Sequence, residues 1–355
     1  MISLTLAFQF ITNVYAQQSI SGKVTSEQTG KPIVGVHVFL SGSTFGILTN
    51  ESGEYDLKGI QSRSFELIFS HIGYSPEVIE IERLSADTTI NIVLSEGVFQ
   101  LEDVSVFGAR NRKWERFLKR FKPAFLGENF NESLISIEND YSIEFEDEKG
   151  VSFSIINEPI LRIRNDFLGY NIYFQLLSFF QREGTSFLGY SKFEEIKPNN
   201  LEESRNWMEN RDQVFRGSSR HLFQSIINGN WEEEGFGLTL ISTEQSTHLI
   251  GHENQEVEVR TNVKVGQEPE KGDNLIIELT EEGTYLLYFF GYLEVYYFDE
   301  VDKNGDIQKT EISLAEPLEI YPNGVIKNPK AMITYGYWSS QGVFEMLPFE
   351  YMPKK

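Results

Sequence analysis

The sequence contains no cysteine among its 355 residues. This absence excludes disulfide bonds, thiolate metal sites, cysteine nucleophiles and an N-terminal cysteine that could carry a lipid. It leaves the compartment open, because cytosolic and bacterial envelope proteins can both lack the residue. Long apolar runs are also missing after the first residues, so no later segment predicts a membrane-spanning helix in the mature chain.

Basic residues are in short supply, with 31 Lys and Arg against 53 Asp and Glu and a formal net charge of -22. A surface of this charge repels phosphate groups, so nucleic acid is excluded as a partner. Apolar residues make up 40% of the chain and aromatic residues 14%. This content can fill sizeable cores, and the length favours two domains.

The first residues indicate export. Residues 2–10 are mostly apolar, and the small side chains of Val14 and Ala16 precede Gln17 at the spacing of a signal-peptidase site. We therefore predict a signal peptide over residues 1–16, although no Lys or Arg follows Met1 in this region. The alternative is an ordinary first strand.

Residues 19–94 alternate between apolar and polar positions in several short segments. Ile20, Gly22 and Val24 share one face of the first segment. The same alternation recurs in the next segment through Val34, Val36, Val38 and Leu40, and in the last through Ile90, Ile92 and Leu94. Turn residues such as those of 28–32 and 50–54 separate the segments, which predicts a seven-stranded β-sandwich.

A set of short motifs in this region is specific. It consists of Gly22-Lys23-Val24, Gly30-Lys31-Pro32-Ile33, Gly35-Val36-His37-Val38, Gly46, Thr49-Asn50, Gly53-Glu54-Tyr55 and Ile72-Gly73-Tyr74. In these residues the chain resembles the carboxypeptidase-regulatory-like, transthyretin-like domain of Bacteroidetes envelope proteins. The resemblance implies a β-sandwich that serves as an accessory module and carries no peptidase site.

The segment 101–108 resembles the short strand that joins such a module to the plug of TonB-dependent outer-membrane receptors. The favoured interpretation of this segment is simpler. Leu101, Val104 and Val106 alternate as in an amphipathic linking strand, a common feature of β proteins.

The remainder predicts an α+β domain with antiparallel sheet. Residues 111–126 are expected to form a helix with a stripe of aromatic and leucine side chains and a basic remainder. That basic face could contact an anionic membrane surface or an acidic partner. The alternative is that its cations neutralise the acidic surface of its own domain. Strands are expected at 133–145, 151–156, 161–164, 170–180, 186–193, 236–241, 256–265, 275–279, 285–298 and 307–314.

Two further helices are expected between these strands. Asn200 is a candidate N-cap for the first helix, residues 217–219 could divide the pair, and Gly229 ends the second. Several segments in this half also resemble the uncharacterised half of Bacteroidetes proteins that carry the same N-terminal sandwich. These segments are 168–170, 211–218, 220–223 and 336–348, and the resemblance implies an envelope setting but no activity.

Two groups of residues have metal-ligand character. His248 and His252, with Glu244 and Glu253 nearby, have the spacing of ligands on a helix, but the surrounding residues favour a strand with two surface histidines. Oxygen ligands for calcium could come from Asp299, Asp302, Asn304 and Asp306. A plain hairpin at residues 304–305 is the favoured interpretation there.

The best candidate site is a positive cluster of Arg216, Arg220 and His221, which could hold an anion or contact a partner. The alternative is a structural face of salt bridges, since the charged residues 205, 209, 212, 216 and 220 fall about four apart. An aromatic run at 288–298 could form a sugar- or peptide-binding surface, or its alternate residues face a core.

These observations predict four segments: a signal peptide at 1–16, the sandwich at 17–97, a linker strand at 98–110 and an α+β domain at 111–355. The resemblance leads us to expect a non-enzymatic accessory or interaction protein in the periplasm or at the outer-membrane periphery. No cofactor is expected, and the partner would be an envelope protein, such as a TonB-dependent receptor or a secretion complex. The alternatives are a glycan- or peptide-binding protein and a hydrolase of unknown type.

Overall fold

A computed structural model describes residues 18–60, 65–71, 73–82, 84, 86–97, 112–148, 152–155, 160–181, 185–241, 264–266, 274–301, 305 and 307–353. The chain divides into two compact units. The first comprises Met1–Ser41 and Phe45–Leu101, and the second comprises Gly42–Thr44 and Glu102–Lys355. Each unit is described by itself.

The first unit is a β-sandwich of two sheets. One sheet has the order β4-β1-β7, with β8 also paired to β1, and the other has the order β3-β2-β5-β6. Their strands are β1 (Gln18–Ser26), β2 (His37–Leu40), β3 (Gly46–Leu48), β4 (Glu54–Ile60), β5 (Phe65–Ser70), β6 (Glu77–Ile81), β7 (Thr88–Thr89) and β8 (Ile92–Leu94).

The core of the sandwich follows from the alternation in the sequence. Ile20 and Val24 of β1 and Val38 of β2 are fully buried between the sheets. Val34, expected on the same face as Val38, is 55% exposed, because the strand begins only at His37. The predicted β-sandwich is confirmed.

The last predicted strand of the sandwich is interrupted and forms β7 and β8. The Tyr55 hydroxyl donates to the Ile90 carbonyl at 2.7 Å, and the side chain of Asn91 accepts the Lys23 amide at 2.9 Å. The Ile90 amide still donates to the Ser21 carbonyl at 2.8 Å, and these side chains supply the further bonds at the interruption. The seven expected strands therefore occur as eight segments.

The second unit contains a six-stranded antiparallel sheet covered by helix α1 (Arg112–Leu126). Phe117, Phe121 and Phe125 of α1 are buried against the sheet in the first core of this unit. The strands are β9 (Ile135–Ile137), β10 (Phe145–Glu148), β11 (Ser152–Ile155), β12 (Ile160–Asn165), β13 (Tyr170–Gln181) and β14 (Thr185–Glu195).

The prediction of a single strand at 133–145 is wrong. This segment is divided into β9, a 3₁₀ helix at Asp140–Ser142 and β10. The amide of Asn139 causes the division, because it accepts the Arg162 backbone N–H at 2.7 Å and donates to the Ile160 carbonyl at 2.8 Å. A side chain that bonds the neighbouring strand in this way ends the backbone ladder.

Helices α2 (Leu201–Phe215) and α3 (Ser219–Asn228) follow, as expected. The side chain of Asn200 accepts the Glu203 amide at the start of α2, and Ser218 accepts the His221 amide at the start of α3. Gly229 ends α3 in the left-handed conformation, with φ 72°.

Two four-stranded sheets, ordered β15-β19-β20-β22 and β16-β17-β18-β21, contribute to the second core of this unit. Their pairs are antiparallel except β16 with β17. The strand expected at 285–298 is divided at Gly291, where φ is 95°, so its halves β18 and β19 belong to different sheets. The strands are β15 (Phe236–Ile241), β16 (Lys264–Gly266), β17 (Asn274–Leu279), β18 (Tyr285–Tyr288), β19 (Tyr292–Val301), β20 (Ile307–Leu314), β21 (Leu318–Ile320) and β22 (Met332–Gly336).

The predicted fold class is confirmed: the chain is rich in β-structure, with a sandwich followed by an α+β unit. Among the described residues, no helix combines the length and the apolar character needed to cross a bilayer. The exact domain boundaries stay a prediction.

Candidate functional site

Helix α2 is fixed on the turn between β12 and β13. The Trp207 indole donates to the Asp166 carbonyl at 2.7 Å, and the Asn210 amide donates to the Phe167 carbonyl at 2.8 Å. Gly169, with φ 71°, lies under the indole. These contacts hold one face of α2 against the sheet and leave the opposite face in solvent.

Arg211 completes this attachment. Its guanidinium lies 3.9 Å from the centre of the Tyr170 ring, and its Nε donates to the Leu168 carbonyl at 2.7 Å. Its Nη1 contacts the Glu195 carboxylate at 3.0 Å. The charge and donors of this arginine are thus used within the unit.

The turn between α2 and α3 is equally well fixed. The carbonyl of Gly217 accepts the indole N–H of Trp338 at 2.8 Å. Gly217 has φ 68°, and a Cβ there would approach the Tyr297 ring at 2.6 Å. Residues of segments 168–170, 211–218 and 336–348, singled out in the sequence, therefore meet around these two helices.

Arg220, one of the three predicted site residues, binds the C-terminal segment. Its guanidinium donates to the carbonyls of Asn323, Pro348 and Phe349, at 3.2, 2.8 and 2.6 Å, and also to that of Tyr351. Burial lowers the pKa of Arg220 to about 10. A guanidinium that bonds several backbone carbonyls acts as a structural clamp.

His221, the second predicted site residue, is buried. Its Nδ1 accepts the Gly217 amide at 3.2 Å, and its Nε2 faces the Glu234 carboxylate at 3.2 Å. Burial lowers the pKa of His221, although the Glu234 carboxylate opposes this shift. The neutral ring that accepts from Gly217 and donates to Glu234 fits both contacts.

Arg216, the third predicted site residue, is exposed and ends α2 in an extended conformation. The single charged helical face expected through 205, 209, 212, 216 and 220 is wrong, because the helix stops at Phe215. Arg216, Arg220 and His221 thus lie in three different environments. The anion-site hypothesis stays a prediction, although Arg220 and His221 make contacts that hold the fold.

An open groove of about 750 Å³ lies beside α2. We call it the α2 groove. It is bounded by α2, by the chain after β14 and by the C-terminal segment. The Tyr351 hydroxyl, which donates to the Asp212 carboxylate, joins the C-terminal segment to α2. The lining residues are Glu195, Ile196, Pro198, Ser204, Arg205, Trp207, Met208, Glu209, Arg211, Asp212, Glu350, Tyr351 and Met352.

Acidic and thioether side chains dominate the exposed part of the groove. Four carboxylates line it against two arginines, of which Arg211 is used internally. Met208 is 40% exposed and Met352 is 45% exposed. The groove can therefore offer negative charge and an adaptable apolar surface to a ligand.

A second exposed surface is formed by the outer side of the β15-β19-β20-β22 sheet. We call it the aromatic sheet face, and it comprises Tyr292, Tyr296, Phe298, Ile307, Ile333 and Tyr335. The alternate residues of β19, Leu293, Val295 and Tyr297, are buried in the second core. The rings of Tyr296 and Phe298 are nearly parallel, with centroids 6.4 Å apart. The core interpretation of the aromatic run thus applies to alternate residues, and the binding-surface interpretation stays a prediction.

Helix α1 separates its apolar and basic faces as expected. Phe117, Phe121 and Phe125 lie in the core, while Arg112, Lys113, Arg116 and Lys119 are exposed. Lys122 pairs with Asp140 at 3.3 Å. The core position of the aromatic face means that these rings are not available for insertion into a membrane.

The two candidate metal sites fall largely outside the described residues. This applies to Glu244, His248, His252 and Glu253, and to Asp302, Asn304 and Asp306. Asp299 is described, on β19, and β19 and β20 pair antiparallel across Gly305 as a hairpin does. In the described part of the chain, no three His, Asp or Glu residues are placed to hold a metal ion.

The sequence does not predict the α2 groove. Its two methionines, Met208 and Met352, lie far apart in the sequence, and no local pattern connects them. The one signal in the sequence is that α2 has few apolar residues to form a stripe. In the structure, just Trp207 and Phe215 of this helix are buried. A helix with so few buried residues leaves most of its surface to solvent or to a ligand.

Residues 20–106 match the protein-family model of the CarboxypepD_reg-like domain. The resemblance of the sandwich is therefore confirmed. The chain is similar to the TonB-dependent receptor SusC of Bacteroides thetaiotaomicron, with 27% identity over 27% of this chain and 9% of the receptor. It is also similar to the TonB-dependent receptor P3 of Formosa agariphila, with 27% identity over 30% of this chain and 10% of that receptor. The chain thus spans about a tenth of the length of these curated relatives.

Solved structures share less with the chain. It is similar to a type II Cohesin-X-Dockerin complex from Acetivibrio cellulolyticus, with a TM-score of 0.21, 17% identity and coverage of 32% of this chain and 79% of that one. A minor pilin, GBS52 of Streptococcus agalactiae, gives a TM-score of 0.20, 16% identity and coverage of 23% and 46%. These scores are too low to carry an argument about fold or function.

Proposed function

Because residues 20–106 are a CarboxypepD_reg-like domain, we propose that this chain is a non-enzymatic accessory protein of the bacterial cell envelope that binds a protein partner. The single observation that carries the proposal is the similarity of this domain to TonB-dependent receptors. The partner would be such a receptor or a secretion complex. The C-terminal unit would supply the contact surface.

The geometry around α2 supports binding rather than catalysis. The polar groups there that could act on a substrate are used in holding the fold: Arg211 bonds carbonyls, Asp212 accepts from Tyr351, and His221 bonds Gly217 and Glu234. What these contacts leave exposed is a groove of acidic and methionine side chains. Surfaces of this kind recognise other molecules by shape and charge.

The proposal is tested by chemical crosslinking in intact cells, followed by purification of the tagged full chain from the fractionated envelope. We expect one envelope protein to be enriched over a control that expresses the tag alone. We also expect the mature chain to begin at Gln17 and to fractionate with the periplasm or the outer membrane. Recovery of the uncleaved chain in the cytoplasm, without a crosslinked partner, would overturn the proposal.

Glycan binding is a second candidate, favoured by the aromatic sheet face. A sugar ring can bury its C–H face on an aromatic ring while its hydroxyls bond nearby polar groups. Tyr296, Phe298 and Tyr335 offer the rings, and the Glu294 carboxylate, bonded to Lys309 at 2.6 Å, offers the polar groups. Phe298 is 56% exposed, so its exchange should leave the core intact.

This second candidate is tested by affinity electrophoresis in gels that contain a neutral polysaccharide. We expect retardation of the wild type and less of it for Phe298→Ala. The matched control is Phe180→Ala, which removes a ring of 52% exposure on β13. Equal mobility of the wild type with and without polysaccharide would exclude the candidate. The hydrolase alternative stays a prediction.

A further inference from the structure

We propose that the α2 groove binds an extended peptide segment of a partner protein, in which a Lys or Arg lies next to an apolar residue. The inference rests on the proposed function and names the chemistry of the partner. Three properties of the groove carry it: its charge, its exposed apolar surface and its shape.

The charge of the groove selects a cationic ligand. Glu195, Glu209, Asp212 and Glu350 line it, and Arg205 and Arg211 oppose them. Buried Arg220 also interacts with the Glu350 carboxylate. Arg211 contacts Glu195 at 3.0 Å and stacks on Tyr170, so these two opposite charges largely cancel. Glu209 and Asp212 remain against Arg205 alone, and this excess of negative charge attracts a Lys or Arg side chain and repels an acidic one.

The apolar surface of the groove suits a side chain rather than a sugar. Met208 and Met352 contribute partly exposed thioether side chains, and Pro198 adds a rigid apolar edge. The Met352 sulfur is also contacted by Gln224 Nε2 at 3.6 Å. Methionine adapts its shape to irregular apolar partners, which is why it recurs at peptide-binding surfaces. An apolar residue of the ligand would pack on these methionines and remove them from water.

The shape of the groove suits an extended chain. Its volume of about 750 Å³ lies within the range of ligand sites, and it is partly open to solvent beside residues 204–212 of α2. Its sides are fixed before any ligand binds, because Trp207 and Arg211 hold α2 to the sheet and Tyr351 bonds Asp212. A preformed groove loses little entropy when a peptide binds.

The inference is tested with the full chain and two fluorescent peptides, one of alternating Lys and Leu and one of alternating Glu and Leu. Binding is followed by fluorescence anisotropy at low and high salt. We expect saturable binding of the Lys-Leu peptide that weakens with salt, and no binding of the Glu-Leu peptide.

Two variants locate the site. Glu209→Lys reverses an exposed charge in the groove, and we expect it to weaken binding of the Lys-Leu peptide about tenfold. Met208→Ala, which keeps α2 helical, is expected to weaken binding about threefold. The matched control is Glu233→Lys, an equal charge change at an exposed turn residue outside the groove, with an expected effect below about twofold.

Absence of saturable binding, or an equal loss with Glu209→Lys and Glu233→Lys, would overturn the inference. Purification of crosslinked partners from cells that express Glu209→Lys separates this result from the fate of the proposed function. Recovery of the envelope partner at the wild-type level would leave the proposed function in place and refute the groove as its site. Failure of the wild type to recover any partner would refute the proposed function itself.

Discussion

Gly169 lies directly beneath the indole of Trp207, so close that a Cβ built on Gly169 would come within 2.3 Å of the indole Cδ2. Gly169 also has φ 71°, which disfavours any side chain. We therefore expect Gly169→Ala to destabilise the C-terminal unit by about 2–4 kcal/mol, since it combines a steric clash with backbone strain. Urea unfolding followed by tryptophan fluorescence measures this change.

The control for this substitution is Gly283→Ala. Gly283 has φ 86°, and a Cβ added there would meet no atom within 4 Å, so the exchange carries the backbone strain without the clash. We expect a loss of about 1 kcal/mol. Equal losses for the two variants would show that the contact with Trp207 is unimportant for the attachment of α2.

The clamp formed by Arg220 gives a second prediction. Arg220→Lys keeps the charge but loses the planar fork that reaches the Asn323, Pro348 and Phe349 carbonyls together. We expect a loss of about 2–3 kcal/mol in the free energy of unfolding. Arg216→Lys, the same change at an exposed position, should cost less than about 0.5 kcal/mol. If Arg220→Lys is as stable as the wild type, the guanidinium is not a clamp.

Glu345 gives a prediction about pH. Burial raises the pKa of Glu345 to about 7, although contacts with Gly342 and Asn129 oppose the shift. Its Oε2 is buried without a hydrogen-bond partner in the described part of the chain. The folded state therefore holds a proton that the unfolded state has lost, and the stability that Glu345 contributes below pH 4.5 is lost as the pH rises through 7.

We expect Glu345→Gln to remove this loss. Relative to the wild type, the variant should gain about 2 kcal/mol in the free energy of unfolding between pH 5 and pH 8. Urea titrations at the two pH values measure the difference. His221 acts in the opposite direction, since its lowered pKa reduces stability as the pH falls below 6.5, but this contribution is common to both proteins. Glu132→Gln, at an exposed position, should show the same change in the free energy of unfolding between the two pH values as the wild type. If Glu345→Gln also shows the wild-type change, the account is contradicted.

Local signals explain which elements can be predicted from the sequence. The cap Asn200 and the glycine at 229 act on their own neighbours, so the start of α2 and the end of α3 can be predicted. The strands at 236–241 and 307–314 are likewise predictable, because alternation is a local property. The sandwich is accessible for the same reason.

Long-range contacts explain the remainder. Asn139 interrupts a strand because it bonds residues more than twenty positions away. Arg220 is expected from the sequence to face an anion, but it bonds carbonyls more than a hundred positions along the chain. The α2 groove depends on the C-terminal segment returning to α2, and no spacing in the sequence shows that return.

The most direct test of the central claim, that this chain binds an envelope partner through the α2 groove, is photocrosslinking in living cells. A photoreactive phenylalanine analogue is placed at Met208, in the groove, or at Gln213, which is exposed on α2 but does not line the groove. The account predicts a crosslinked adduct with one envelope protein from position 208 and none from position 213. No adduct at either position, or equal adducts at both, would contradict it.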